Sequence, residues 1–139
     1  MDKEAKGYFR KVKQLAAKNL KDTIIEAEDY GSERSLLTIE GRFGNKRVII
    51  SELILPRKRR RYAYYLLDQK DNSLISGFDN SPDITVTKIK YPTRYKLHKG
   101  ELIPHIHGKN KEKLEIADEE MDCSKFFEWL QGDPTVTGY

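Results

Sequence analysis

Residues 60–84 read RRYAYYLLDQKDNSLISGFDNSPDI, and the course of this stretch decides the fold. Tyr62, Tyr64, Tyr65, Leu66 and Leu67 form an aromatic and branched run, Asp68 to Asn72 is polar, and Leu74, Ile75 and Phe78 return to apolar character. Two such runs around a polar turn predict a β-hairpin. The return strand ends in Asp79-Asn80-Ser81-Pro82-Asp83. Proline has no N–H to give a ladder, and Asp and Asn bond their own backbone in turns. Asn80, Pro82 and Asp83 are therefore expected to shape an ordered turn, with Asp79 or Asn80 accepting backbone N–H groups.

Working outward, the residues before the hairpin read as further strands. Val48 to Leu55 is apolar on both faces apart from Ser51 and Glu52, the pattern of a central strand. Glu52 is either an edge-facing charge or a buried carboxylate, which needs a cation, and Arg42 or Arg47 is then its expected partner. Gly44-Asn45 marks a turn into this strand from one ending at Phe43, and Ile24 to Asp29 predicts a first strand. Residues 2 to 21 carry Tyr8, Val12, Leu15 and Ala16 at helical spacing. Beyond the hairpin, the alternation of Ile84 to Tyr91 predicts a strand or extended connection, Leu102 to Ile106 and Leu114 to Ile116 short extended segments, and Asp118 to Leu130 a helix. Asp122 or Ser124 is its expected cap, and Gly132 and Pro134 its stop. Strands grouped between two helices define an α+β fold, here a single domain over 1–139. Its expected form is an antiparallel sheet of five or six strands flanked by an N-terminal and a C-terminal helix, with a frayed tail at 134–139.

With 139 residues, 37% hydrophobic and 35% charged, the chain can bury one real core, and global disorder is excluded. The lone cysteine, Cys123, excludes a disulfide framework and a cysteine-rich zinc site. No apolar run approaches the ~20 residues that span a bilayer, and Met1 to Lys6 is charged with no apolar run behind it. A cytoplasmic protein with no membrane partner is expected. The net charge of +4 is unevenly spread. Residues 41–70 carry nine Lys/Arg against two acids, residues 85–113 eight against two, and residues 114–139 one against seven. Clustered cations with interleaved tyrosines are the footprint of a nucleic-acid binder. Arg59, Arg60, Arg61, Arg94, Lys96, Lys99, Tyr62 and Tyr64 are the candidate RNA contacts.

His98, His105 and His107 are all the histidines of the chain. Metal-free RNA cleavage needs a base for the 2′-OH, an acid for the leaving oxygen and a cation at the phosphate. His98 with Tyr95, Lys96 and Arg94 supplies these types within a few residues, and with Asp79 it makes the candidate catalytic set. The weaker alternative is a metal held by His105 and His107, which point to one side of a strand, together with His98 and a carboxylate such as Asp79 or Glu101. No cofactor is expected: the P-loop, dinucleotide and metalloprotease motifs are absent from the sequence.

The strand YAYYLLD (62–68), the turn FDNSPDI (78–84) and the segment YPTRYKLH (91–98) together resemble the TumE-type toxins of bacterial and archaeal toxin–antitoxin modules. That family carries such a hairpin, an Asp-Asn-x-Pro turn and a Pro-x-His-Lys-His-like segment behind it. Asp79, Asn80 and Pro82 match the turn, and His98 stands where the family keeps a histidine, while Tyr95 and Lys96 depart from the pattern. The resemblance implies RNA-directed toxicity and an antitoxin partner, which with the candidate catalytic set makes a metal-independent ribonuclease the expected activity; an acidic antitoxin would suit the basic surface. The alternatives are a non-catalytic nucleic-acid-binding module and a protein-interaction domain.

Overall fold

Seven strands follow one another in an antiparallel meander, each hydrogen-bonded to the next in sequence. The computed structural model describes residues 2–108 and 114–132. The elements are α1 (Asp2–Asn19), β1 (Lys21–Tyr30), β2 (Ser35–Phe43), β3 (Lys46–Ile54), β4 (Arg60–Asp68), β5 (Leu74–Asp79), α2 (Ile84–Lys90), β6 (His105–His107), β7 (Leu114–Ile116) and α3 (Cys123–Gly132). Short 3₁₀ turns occupy Pro56–Lys58 and Tyr95–His98. The fold is α+β. It has seven strands rather than five or six, because β6 and β7 are three-residue strands that extend the sheet past the hairpin. The tail at 134–139, with Pro134, lies outside the described residues. No described helix is long and apolar enough to cross a membrane.

Alternation sets which face is the core. Leu37 and Ile39 of β2, Val48 and Ile50 of β3, Tyr62, Tyr64 and Leu66 of β4 and Phe78 of β5 are buried on one side. α1 covers it with Ala5, Phe9, Val12 and Ala16, the i, i+4, i+7 stripe of an amphipathic helix. α3 adds Cys123, Phe126, Phe127 and Leu130. Phe126 stacks on Tyr64 at 5.3 Å between ring centroids, and Trp129 meets Phe78 edge-on at 4.9 Å. α3 starts at Cys123, later than its pattern suggested, because Asp122 Oδ1 accepts from the Lys125 N–H and caps it.

The segment 84–91 is a helix where a strand or extended connection was expected. Its β-branched residues alternate, but Asp83 decides the outcome. The Asp83 carboxylate accepts from the backbone N–H groups of Thr85 and Val86, which nucleates a turn that Thr85 and Thr87 alone would not favour. Val86 and Thr87 then face inward.

Glu52 is fully buried on β3, and its cation is Arg60, not Arg42 or Arg47. The register explains this. Glu52 lies opposite Tyr62, so its diagonal neighbours on β4 are Arg60 and Tyr64 on the same face. Arg47 faces the other way and bonds Glu40, while Arg42 bonds Asp22. Arg60 reaches Glu52 Oε1 at 2.9 Å and the Tyr64 hydroxyl at 3.0 Å, stacks over the Tyr62 ring and donates to the Met121 carbonyl. Tyr64 and Tyr8 donate their hydroxyls to Glu52 Oε2. Burial raises the Glu52 carboxyl, against the pull of Arg60 and the two tyrosines, and the carboxylate in turn holds Arg60 firmly charged.

Arg60→Ala should therefore lower the unfolding free energy by about 3–5 kcal/mol in urea denaturation, since it strands a buried carboxylate. Glu52→Leu combined with Arg60→Met should recover a large part of that loss. An Arg60→Ala midpoint equal to wild type would refute the assignment.

Candidate functional site

The sheet face turned away from α1 and α3 carries a second row of residues. Tyr65 of β4 lies opposite Gly77 of β5, Gly77 opposite His107 of β6, and Asp79 opposite His105. Register alone therefore sets Tyr65, Gly77, Asp79, His105 and His107 side by side on one face. A face away from the helices would ordinarily be solvated. Here Asp79, His105 and His107 are 7%, 1% and 8% exposed. In the return segment 80–104, Val86, Thr87 and Ile103 are buried as well, and the Ile103 carbonyl meets His105.

One ligand atom from each of Asp79, His105 and His107 lies within 4.8 Å of the others. The two imidazoles meet edge to face at 4.9 Å. His105 Nδ1 is 2.7 Å from the Ile103 carbonyl oxygen. Because that oxygen only accepts, Nδ1 carries a hydrogen and the lone pair of the neutral ring sits on Nε2. Asp79 Oδ2 accepts from the Tyr65 hydroxyl at 2.6 Å, and Oδ1 from the Ser81 N–H at 2.5 Å. Burial pushes the Asp79 carboxyl up, but the bonds from Tyr65 and Ser81 and the neighbourhood of His105 outweigh it and hold the group below its ordinary value. Burial, then the Asp79 carboxylate, push the Tyr65 phenol well above its usual range. The cluster thus combines an ionised carboxylate, two imidazoles and a phenolic donor, which suits proton transfer or metal ligation.

Gly77 makes the arrangement fit. A Cβ there would stand 2.5 Å from Cδ1 and 2.6 Å from Cε1 of Tyr65, so the ring lies directly over the glycine on its way to Asp79. Asn80 anchors the turn. Its Oδ1 accepts from the Tyr62 N–H at 2.8 Å and its Nδ2 donates to the Arg60 carbonyl at 2.9 Å, so the amide continues the ladder past the end of β5. Asp83 caps α2, and Pro82 is exposed between the two.

The other sequence-derived candidates go elsewhere. His98 is half-buried, bonds Glu101 Oε2 through Nδ1 at 2.9 Å and stacks on Tyr91 at 3.6 Å. Its partners are thus on the 91–101 segment rather than the Asp79 turn, and the histidines brought to Asp79 are His105 and His107. Tyr95 is half-buried under Lys88, while Arg94, Lys96 and Lys99 are exposed. Tyr62 and Tyr64 lie in the core and Arg60 is committed to Glu52, so these three do not form a base-stacking surface. Arg59 is exposed and Arg61 half-buried. Lys58, Arg59 and Arg60 line a cavity of about 700 Å³ together with Tyr8, Glu101 and Leu102. Cys123 is buried and its thiol is driven up by that burial, so it packs rather than reacts. Sequence reading missed Tyr65 and Gly77; the signal for both was their place opposite one another in the hairpin.

Comparison with protein-family models, with curated proteins and with solved structures finds no match to this chain.

Gly77→Ala should destabilise the protein by about 1–3 kcal/mol through overpacking against Tyr65, and the loss should largely vanish in a Tyr65→Ala background, as a double-mutant cycle of denaturation midpoints would show. The lowered Asp79 carboxyl also fixes a pH dependence. Its stabilisation is complete above the ordinary carboxylate range, about pH 3.9, and is lost as pH falls through the depressed folded value. The acid limb of thermal midpoint against pH should be shallower in Asp79→Asn than in wild type.

Proposed function

We propose that this chain is the toxin component of a toxin–antitoxin module of TumE type, that it acts on RNA in the cytoplasm, and that its reacting centre is Asp79, His105 and His107 with Tyr65. The observation that carries this reading is the convergence of the two imidazoles and the carboxylate in a buried site. Burying three such groups costs free energy that apolar residues at the same positions would not. Groups of this kind gathered against that gradient mark chemistry more often than packing.

Three further features support it. The Asp-Asn-x-Pro turn shared with the TumE-type toxins is the element that delivers Asp79 to the cluster, and a His-x-His pair behind a proline is present at Pro104 to His107. Exposed Arg94, Lys96, Lys99 and Arg59 are free of the core and suited to phosphate contacts, which position a nucleic acid without reading its sequence. An acidic antitoxin would meet the same cations and mask them.

Induced expression should arrest growth, and the purified chain should cleave RNA. His105→Ala and Asp79→Ala should each lower cleavage by about 10²–10⁴-fold, with His98→Ala costing far less. Lys96→Ala should weaken RNA binding and reduce the slope of log K against log salt by about 0.7. If His98→Ala alone abolishes cleavage, the surface pair of His98 and Glu101 is the reacting centre instead. Salt-dependent RNA binding without cleavage by wild type would select a binding module.

A further inference from the structure

We infer that Asp79, His105 and His107 form a binding site for one first-row divalent transition-metal ion, with Tyr65, Ser81 and the Ile103 carbonyl as the groups that orient its ligands. The inference goes beyond the RNA reading and does not depend on it, since it stands on the cluster alone.

Two imidazoles and one carboxylate converging from adjacent strands are a donor set for zinc, iron, cobalt or manganese, and not for magnesium or calcium, which take oxygen ligands. The three ligand atoms already lie within 4.8 Å of one another. A tetrahedral ion with bonds of about 2.0–2.1 Å would draw them to about 3.3 Å, a change within reach of small side-chain rotations. The surrounding bonds are those that ligands need. The Nδ1–H of His105 is given to the Ile103 carbonyl, which fixes the ring and leaves Nε2 to bind, the usual arrangement for a ligating histidine. Asp79 accepts one bond on each oxygen, from Tyr65 and from Ser81, and each carboxylate oxygen keeps a further lone pair.

The backbone also speaks for a built site. His105 and His107 are locked two apart on a strand paired with β5 on one side and β7 on the other, so their separation does not depend on a loop. Three protein ligands leave at least one coordination position for water or a phosphate oxygen. Tyr65 and Ser81 are half-buried, while the three ligand residues are buried.

The test is titration of chelator-stripped protein with Zn²⁺ by calorimetry and with Co²⁺ by visible absorption. One ion per chain is expected, with ligand-field bands distinct from those of the aqua ion and a rise in the thermal midpoint on binding. His105→Ala, His107→Ala and Asp79→Ala should each weaken binding by more than about 100-fold, and Tyr65→Phe by about tenfold. His98→Ala should bind the ion as wild type does. Absence of a stoichiometric site in wild type, or equal affinity in wild type and Tyr65→Phe together with any folded variant of the three ligands, overturns the inference. Because the wild-type and Tyr65→Phe titrations need no ligand deletion, the result stands even if a deletion variant fails to fold. Metal binding with no effect on RNA supports this inference and removes the RNA reading, whereas RNA cleavage by a chain that binds no ion does the reverse.

Discussion

A carboxylate with no access to water has to be met from every side, and Glu52 is met by residues from a helix and from the neighbouring strand. Tyr8 comes from α1, Tyr64 and Arg60 from β4, and Arg60 also holds the Met121 carbonyl just before α3. Tyr62 adds its hydroxyl as acceptor for the Met121 N–H at 3.1 Å. One ionised group thereby fixes the position of both covering helices against the middle of the sheet. An apolar residue at 52 would satisfy the core equally well in area, but would not specify where α1 and the approach to α3 must sit. The polar network gives direction where hydrophobic packing gives only attraction.

The two faces of the sheet divide their roles along the same strands. On β4, Tyr62, Tyr64 and Leu66 belong to the core while Tyr65 belongs to the site; on β5, Phe78 is core and Asp79 is site. Adjacent residues therefore act in different chemical settings, and the position of Asp79 is secured by the packing of its neighbour Phe78 against Trp129 and Phe126. Helices α1 and α3 pack on one side of the sheet, and the buried site lies on the other. Such a division lets catalytic or ligating groups sit on strands, whose geometry is firmer than that of loops.

Much of this was legible in the residues themselves. The hairpin, the turn at Asp79 to Asp83 and both terminal helices followed from periodicity and turn chemistry, while the burial of Glu52 was one of two readings its strand left open. The identity of Arg60 as the partner of Glu52 did not, because it depends on the diagonal of a cross-strand register that sequence does not print. α2 was concealed by four residues whose β-branched alternation mimics a strand, with the cap at Asp83 as the overriding signal. β6 and β7 are too short to show alternation. The cluster at Asp79 was legible only as one set of possible metal ligands among others, for a related reason. His105 and His107 stood out as residues on one face of a strand, but which other strand they would meet was set by a pairing across a stretch of about 25 residues. His98, closer in sequence to the cations, drew the catalytic reading instead.

The meander also imposes an order of assembly. Each strand needs only the one before it as a template, so β1 to β4 can pair while later residues are still being made, and helix α1 is available from the start to cover them. The cluster cannot exist at that stage. Asp79 arrives with the fifth strand, and its two histidines only with the sixth, after the segment 80–104 has been synthesised. The first four strands can therefore pair before Asp79 and the two histidines exist side by side, and the cluster is assembled only in a late step.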